Sequence, residues 1–282
     1  MPEISNIQII AEKELREALR NRWFLLYALA FGGLALALSF LSQPGGSVSS
    51  SLSGYGRTAA SLTNLVLLFV PLIGLTLGAV SVAGERESGV LDYLLSQPVT
   101  HAEVLIGKYL GLAGALFGSL CLGFGLAGVV LAWRGSEGGI GSYLMTVALA
   151  CLLGLAMLSL GFLVSTTTQK TSVALGSALF LWLFLAFIGD LGLMGTAVVT
   201  QMPIEQVFWI TAINPLQLFK MAAILSLQAH LEVLGPAGIY AIREFGNSLM
   251  LIMLAGLILW VFIPLGVALA VFPQQGQKHS IS

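Results

Sequence analysis

The sequence predicts an all-α polytopic membrane protein with six transmembrane helices, an interfacial helix before the first span, a short amphipathic helix after the second, and short helices before the last. Three observations carry this expectation. Of the 282 residues, 57% are hydrophobic and 9% charged, with a mean hydropathy of +0.95, whereas a soluble domain carries about 25% charged residues. Six apolar stretches are long enough to cross a bilayer core, which takes ~20 residues in a helix. None of them alternates with the ~10-residue, period-two pattern of a membrane β-barrel.

Taken in order, residues Ile4 to Arg20 place Ile4, Ile7, Ala11, Leu15, Ala18 and Leu19 at helical spacing, with the pairs Glu12–Arg16 and Lys13–Glu17 on a wet face. This describes a helix lying on the membrane surface. The spans then run approximately over 23–41, 59–83, 105–133, 143–167, 172–189 and 248–272, within a single transmembrane domain over 1–282. Ala35-Leu36-Ala37 resembles a signal-peptide cleavage site. The long mixed-charge segment before it favours an uncleaved first span. The Ser/Gly-rich stretch Ser42 to Gly56 reads as an external turn.

Lys and Arg set the orientation. Eight lie on the side of the termini (Lys13, Arg16, Arg20, Arg22, Arg86, Lys108, Lys170 and Lys278), against four on the other (Arg57, Arg134, Lys220 and Arg243). The termini and the 84–104 connection are therefore expected in the cytoplasm of a bacterium whose inner membrane holds the chain. Residues 190–247 are expected on the periplasmic side. That segment is too long for a plain connection, and Glu205, Pro215, Lys220, His230 and Glu232 interrupt its apolar run. Short helices on or in the outer leaflet fit better than a seventh span.

Several function classes are disfavoured. A net charge of −1 provides no basic surface for nucleic acid. The span centres hold none of the ionisable residues that ion-coupled carriers use. His101, His230 and His279 are scattered, so no metal-ligand spacing or catalytic constellation emerges. Met194, Met202 and Met221 read as packing residues, as do Cys121 and Cys151, which lie inside apolar runs. A functional thiol pair is the alternative for the two cysteines. No GxxxxGK[ST] segment is present, so this chain is expected to bind no cofactor. Gly74-xxx-Gly78, Gly107-xxx-Gly111 and Gly114-xxx-Gly118 permit close helix approach, within one subunit or across a dimer.

The most informative segment is Gly84-Glu85-Arg86-Glu87-Ser88-Gly89-Val90-Leu91-Asp92-Tyr93-Leu94-Leu95-Ser96-Gln97-Pro98 and its continuation to Lys108. Charge at the span end is followed by Val90, Leu91, Leu94 and Leu95 at helical spacing and by Pro98 as a stop. The stretch GERESGVLDYLLSQPVTHAEVLIGKYLG, residues 84 to 111, resembles the six-span ABC-2 (type V) exporter permeases, whose second and third spans are joined by a coupling helix that opens on a charged run. With the surface helix and the pre-final helices, the resemblance extends over essentially the whole chain.

The resemblance implies a homodimer in membrane lipid that docks a cytoplasmic ATPase dimer, which alone holds ATP and magnesium. Its coupling residues would be Glu85, Arg86, Glu87, Ser88, Gly89, Leu91, Leu94, Leu95 and Pro98. Two stretches, LLSQPVTHAEVLIGKYLG and INPLQLFKMAAI, are similar to the members of the family that serve maturation of nitrous oxide reductase. That similarity implies a NosF-like ATPase and a periplasmic NosD-like protein involved in copper delivery. Asn214, Pro215, Phe219, Lys220 and Arg243 would then contact the periplasmic partner. Export of a hydrophobic or lipid-like substrate, and a purely scaffolding membrane anchor, are the competing readings.

Overall fold

The computed structural model describes residues 4–41, 54–133, 140–199, 203–226 and 235–278. Eleven α-helices and one 3-10 turn make up the described chain, with no strand among these residues. They are α1 (Ile4–Arg20), α2 (Arg22–Leu41), α3 (Gly54–Glu87), α4 (Val90–Leu95), α5 (His101–Trp133), α6 (Ile140–Thr167), α7 (Thr171–Val199), α8 (Ile204–Ala212), α9 (Pro215–Ser226), α10 (Gly235–Phe245) and α11 (Leu249–Lys278). The external turn at 42–53 and residues Arg134, Met202, His230 and His279 lie outside the described residues.

Five helices are long and apolar enough to cross a membrane, namely α3, α5, α6, α7 and α11, and up to seven spans result if each of two bent pairs counts as one. The pairs are α1 with α2, bent by 66°, and α8 with α9, bent by 108°. The expectation of six spans falls inside this range, and each expected span lies in one helix. The one marked extension is α7, which continues to Val199 rather than stopping near 189.

Helix α6 is the central post. It packs most extensively on α3, then on α11, and also touches α5 and α9. Large side chains such as Phe162, Leu149 and Leu153 are buried along it, and so are Gly154, Ala156, Ser159 and Gly161. Small residues on this face let neighbouring backbones come close, the main way helices gain contact in lipid, where no hydrophobic force drives them together. Phe180, Leu183 and Phe187 of α7 and Leu259 and Phe262 of α11 are exposed on the outside of the bundle, where acyl chains solvate them without penalty.

Helix α1 departs from the sequence reading in its rotation. Of the residues placed on the apolar stripe by spacing, Ala18 is buried and Ile7, Ala11 and Leu15 are half-buried, but Ile4 and Leu19 are exposed at 73% and 48%, whereas Ile10 and Glu14, off that stripe, are buried. The helix has turned so that a carboxylate faces inward. The contacts that cause this lie on α5, where a Cβ at Gly107 would stand 2.8 Å from Ile10 and one at Gly111 would meet Ala11 and Glu14. The close approach of α5 there draws α1 onto the bundle. The two surface pairs form as the sequence predicts, Arg16–Glu12 at 2.8 Å and Lys13–Glu17 at 3.7 Å.

At the end of the bundle away from α4, α8 and α9 form a sharp hairpin whose second arm enters the core. Pro215, Leu216, Phe219 and Met221 of α9 are buried. Asn214 organises the corner: its Oδ1 accepts from Leu216 N at 3.0 Å, capping α9, and its Nδ2 donates to Leu185 O at 2.6 Å, anchoring the hairpin to α7. Trp260 Nε1 donates to Ile213 O at 2.9 Å from α11. Replacing Asn214 by Leu leaves a buried carbonyl unpaired and removes the cap, so a loss of about 1–3 kcal/mol is expected. Thermal melting of the detergent-purified variant measures it.

Candidate functional site: the charged junction behind the surface helix

Gly89 ends α3 in the left-handed region, with φ 75° and ψ 0°, a conformation that costs a Cβ-bearing residue and that Gly adopts freely. The chain can thus reverse at once into α4. The short helix stops at Ser96, whose N–H donates to Asp92 O at 3.1 Å. After Pro98, Thr100 starts α5 with a capping box: Thr100 N donates to Glu103 Oε2 at 2.8 Å and Glu103 N to Thr100 Oγ1 at 3.2 Å. Both flanks of α4 are therefore rigidly set by the ends of two long helices.

The three charges of Glu85-Arg86-Glu87 point to the protein's own helices. Arg86 Nη1 donates to Thr168 O at 2.6 Å and Thr166 O at 3.3 Å, satisfying carbonyls at the end of α6 that otherwise lack partners. Glu87 Oε2 accepts from Thr171 N at 2.8 Å, capping the start of α7. Glu85 turns to the opposite flank, where Oε1 accepts from Lys108 at 2.8 Å and Lys13 at 3.4 Å. Lys108 also donates to Glu14 at 2.6 Å. Lys108 is 1% exposed, so α1, α3 and α5 share a buried ion triad. Burial lowers the affinity of the Lys13 ammonium for its proton, but the carboxylates of Glu85, Glu14 and Glu17 outweigh it, and the pKa is raised above 10.5.

The triad was not legible in the sequence as a cluster, because Glu14 and Lys108 are 94 positions apart, and Lys13 beside them is 72 positions from Glu85. The one available signal was Lys108 itself, a charge inside an apolar helix start. Of the expected coupling residues, Leu91 is buried and Leu94 and Leu95 half-buried against the bundle, while Ser88, Gly89 and Pro98 are exposed. The residues that α4 turns outward are Val90, at 44% exposure, Asp92, and Tyr93, at 71%. Tyr93 was not among the expected site residues.

Of the five residues expected to meet a partner on the far side, Asn214, Pro215 and Phe219 are buried within the bundle. Their corner holds the hairpin together, which leaves them no free surface in this conformation. Lys220 is half-buried and Arg243 exposed. The outward surface there is formed by Trp209, Ile210 and Ile213, next to a cluster in which Phe208 packs against Tyr240 and Phe245.

The described residues thus form a bundle of apolar helices with a short helix set between the ends of two long ones. The family model described as ABC-2 family transporter protein matches residues 8–277, and the chain belongs to that family. It is 32% identical over 221 residues to a protein of Pseudomonas aeruginosa named "Probable ABC transporter permease protein NosY", covering 75% of this chain and 79% of that one. A protein of the same name from Stutzerimonas stutzeri is 28% identical over 275 residues, covering 93% of this chain and 96% of its own.

Proposed function

We propose that the chain is the single-domain membrane subunit of an ABC transporter in the bacterial inner membrane, with both termini in the cytoplasm. A separate NosF-like ATPase dimer, holding ATP and magnesium, docks on α4 of each copy of a homodimer. Its closing motion passes through the span ends to residues 190–247, where a periplasmic NosD-like partner is engaged during copper-site assembly of nitrous oxide reductase. The names of the two relatives and the stretches around α4 and α9 support the choice of this pathway over export of a lipid-like substrate.

The single observation that carries the reading is the mounting of α4. Its inner residue Leu91 is 3% exposed in a core cluster with Val82, Val104 and Leu105, whereas Val90 and Tyr93 are free to enter a groove on a partner. Leu91 thus ties α4 to the ends of α3 and α5, so a push on α4 reaches both, and a two-state rearrangement of the bundle can be biased from there. Glu85, Arg86 and Glu87 serve this reading as braces of the lever, and Ser88, Gly89, Leu94, Leu95 and Pro98 set its position. On the far side, Arg243 and the exposed face beside it meet the partner, while Asn214, Pro215, Phe219 and Lys220 hold that face in place.

The test uses the double variant Val90→Asp, Tyr93→Ala. Both side chains are exposed, so folding and insertion are expected to match the wild type. Capture of the ATPase on the tagged permease should fall ~30-fold, the effect of losing one aromatic hot spot worth about 2 kcal/mol. Nitrous oxide reductase from the same cells should lack its copper. Undiminished ATPase capture would overturn the docking assignment, and fully copper-loaded reductase in a strain lacking the permease would overturn the pathway.

A further inference from the structure

A cavity of ≈ 640 Å³ opens between α1, α2, α3, α5 and α7, within the range of about 300–1,000 Å³ typical of small-molecule sites. Its two ends differ in chemistry. One is lined by the carboxylates of Glu14, Glu17 and Glu85 with the Lys108 ammonium, and the other by Phe24, Tyr27, Leu77, Val80, Leu175 and Leu179, with Thr76 and Ser81 beside them, whose hydroxyls donate back to their own helix. The polar end lies at the level of the α4 junction. The apolar end runs between α2 and α7 toward the bundle's lipid-facing flank, where Leu179 is 46% exposed.

The charges at the polar end are unequal. Three carboxylates line the cavity against one lysine, and that lysine is already held at 2.6 Å by Glu14 and 2.8 Å by Glu85. Lys13, the other cation in contact, is 42% exposed behind the wall and reaches Glu85 at 3.4 Å and Glu17 at 3.7 Å. Counting both lysines, the group carries a formal charge of −1. Glu17 is 60% exposed at the rim. An ammonium entering here gains charge-assisted hydrogen bonds, while an anionic head meets repulsion that the apolar surroundings strengthen.

We infer that this cavity binds an amine-bearing phospholipid of the adjacent leaflet, its ammonium at Glu17 beside the ion triad and one acyl chain between α2 and α7. The commitment to a lipid rather than a soluble amine rests on the apolar wall, which a tailless amine would leave in contact with water. A chain of the leaflet laid there fills the groove by van der Waals contact with that wall. A lipid so placed touches α1 and α7 together, and it would hold the surface helix against the bundle alongside the triad.

Native mass spectrometry on the full-length detergent-purified chain tests this with three probes: phosphatidylethanolamine with palmitoyl and oleoyl chains, phosphatidylglycerol with the same chains, and tailless phosphoethanolamine. Retention of the ethanolamine lipid is expected to exceed that of the glycerol lipid about tenfold, the worth of one charged hydrogen bond. Phosphoethanolamine should not displace it. Glu17→Gln should bring the two lipids level, and Leu175→Trp, which fills the apolar end, should lower retention of both.

Equal retention of the two lipids by the wild type would overturn the inference, since it marks only annular lipid. Displacement by phosphoethanolamine would overturn it in favour of a soluble amine. Unchanged lipid retention in Leu175→Trp with an altered oligomeric state would overturn it in favour of a second copy covering the cavity. Should that variant fail to fold, Glu17→Gln decides alone, because its side chain is exposed. The Val90→Asp, Tyr93→Ala variant should retain the lipid normally, so the fate of the ATPase-docking reading is read separately.

Discussion

Replacing Lys108 with Met is expected to destabilise the folded chain by about 3–5 kcal/mol, the effect of removing one partner from a buried ion group. The ammonium is 1% exposed and is shared by Glu14 at 2.6 Å and Glu85 at 2.8 Å. Its loss leaves two carboxylates facing each other with only the half-exposed Lys13 between them. The apparent melting temperature in detergent should fall by roughly 10 °C. Because Glu14 joins α1 to Lys108, leaving the longer Lys13–Glu85 contact at 3.4 Å as the ion pair from α1 to the bundle, α1 should also loosen, and limited trypsin treatment should cut at Arg16 and Arg20 sooner than in the wild type. The triple variant Glu14→Leu, Glu85→Leu, Lys108→Met distinguishes charge from packing. Apolar replacement of a complete buried ion group is often neutral, so this variant should regain most of the stability. A Lys108→Met protein that melts like the wild type would mean that the triad is hydrated and does not clasp α1.

How much of this was legible in the sequence depends on the range of the interaction. The spans follow from apolar length alone, because a membrane helix satisfies its own backbone hydrogen bonds. The helices α1 and α4 were readable from local spacing, and the end of α4 from Pro98. Rotation about a helix axis was not. Spacing placed Ile4 and Leu19 on the apolar face of α1, but the face actually buried is chosen by Gly107, Gly111 and Lys108, which lie on another helix. The charged run after the second span was readable as important. Its role in capping α6 and α7 was not, because Thr168 and Thr171 are about eighty positions away. At the opposite end, INPLQLFK spans the corner between α8 and α9. Burial of Asn214 and Phe219 there depends on α9 entering the bundle, and nothing in an apolar dozen residues says whether such a helix lies on the membrane or dips into it.

The glycine pairs show the same limit and lead to the second large effect. Three pairs with one spacing have three fates: Gly74 and Gly78 abut α6, Gly107 and Gly111 abut α1, and Gly118 has open space beside it. A Cβ at Gly78 would stand 2.6 Å from Leu158 O and 2.8 Å from Gly161 Cα, and one at Gly161 would stand 2.5 Å from Leu75 O. These neighbours are backbone atoms, which cannot rotate aside, so the helices must separate along the most extensive contact in the fold. Near the same crossing, Ser165 Oγ accepts from Val82 N at 3.0 Å and Ala83 N at 2.8 Å, and separation would break both bonds. Gly78→Val and Gly161→Val are each expected to cost ~3 kcal/mol or more, at the upper end of overpacking effects. The double variant should cost less than the sum of the two, because one displacement relieves both clashes. Gly118→Ala should be neutral or slightly stabilising, since Ala is the better helix former by up to ~1 kcal/mol. Thermal melting of the four purified variants decides the matter. Equal stability of Gly78→Val and Gly118→Ala would show that α3 and α6 are not in close backbone contact.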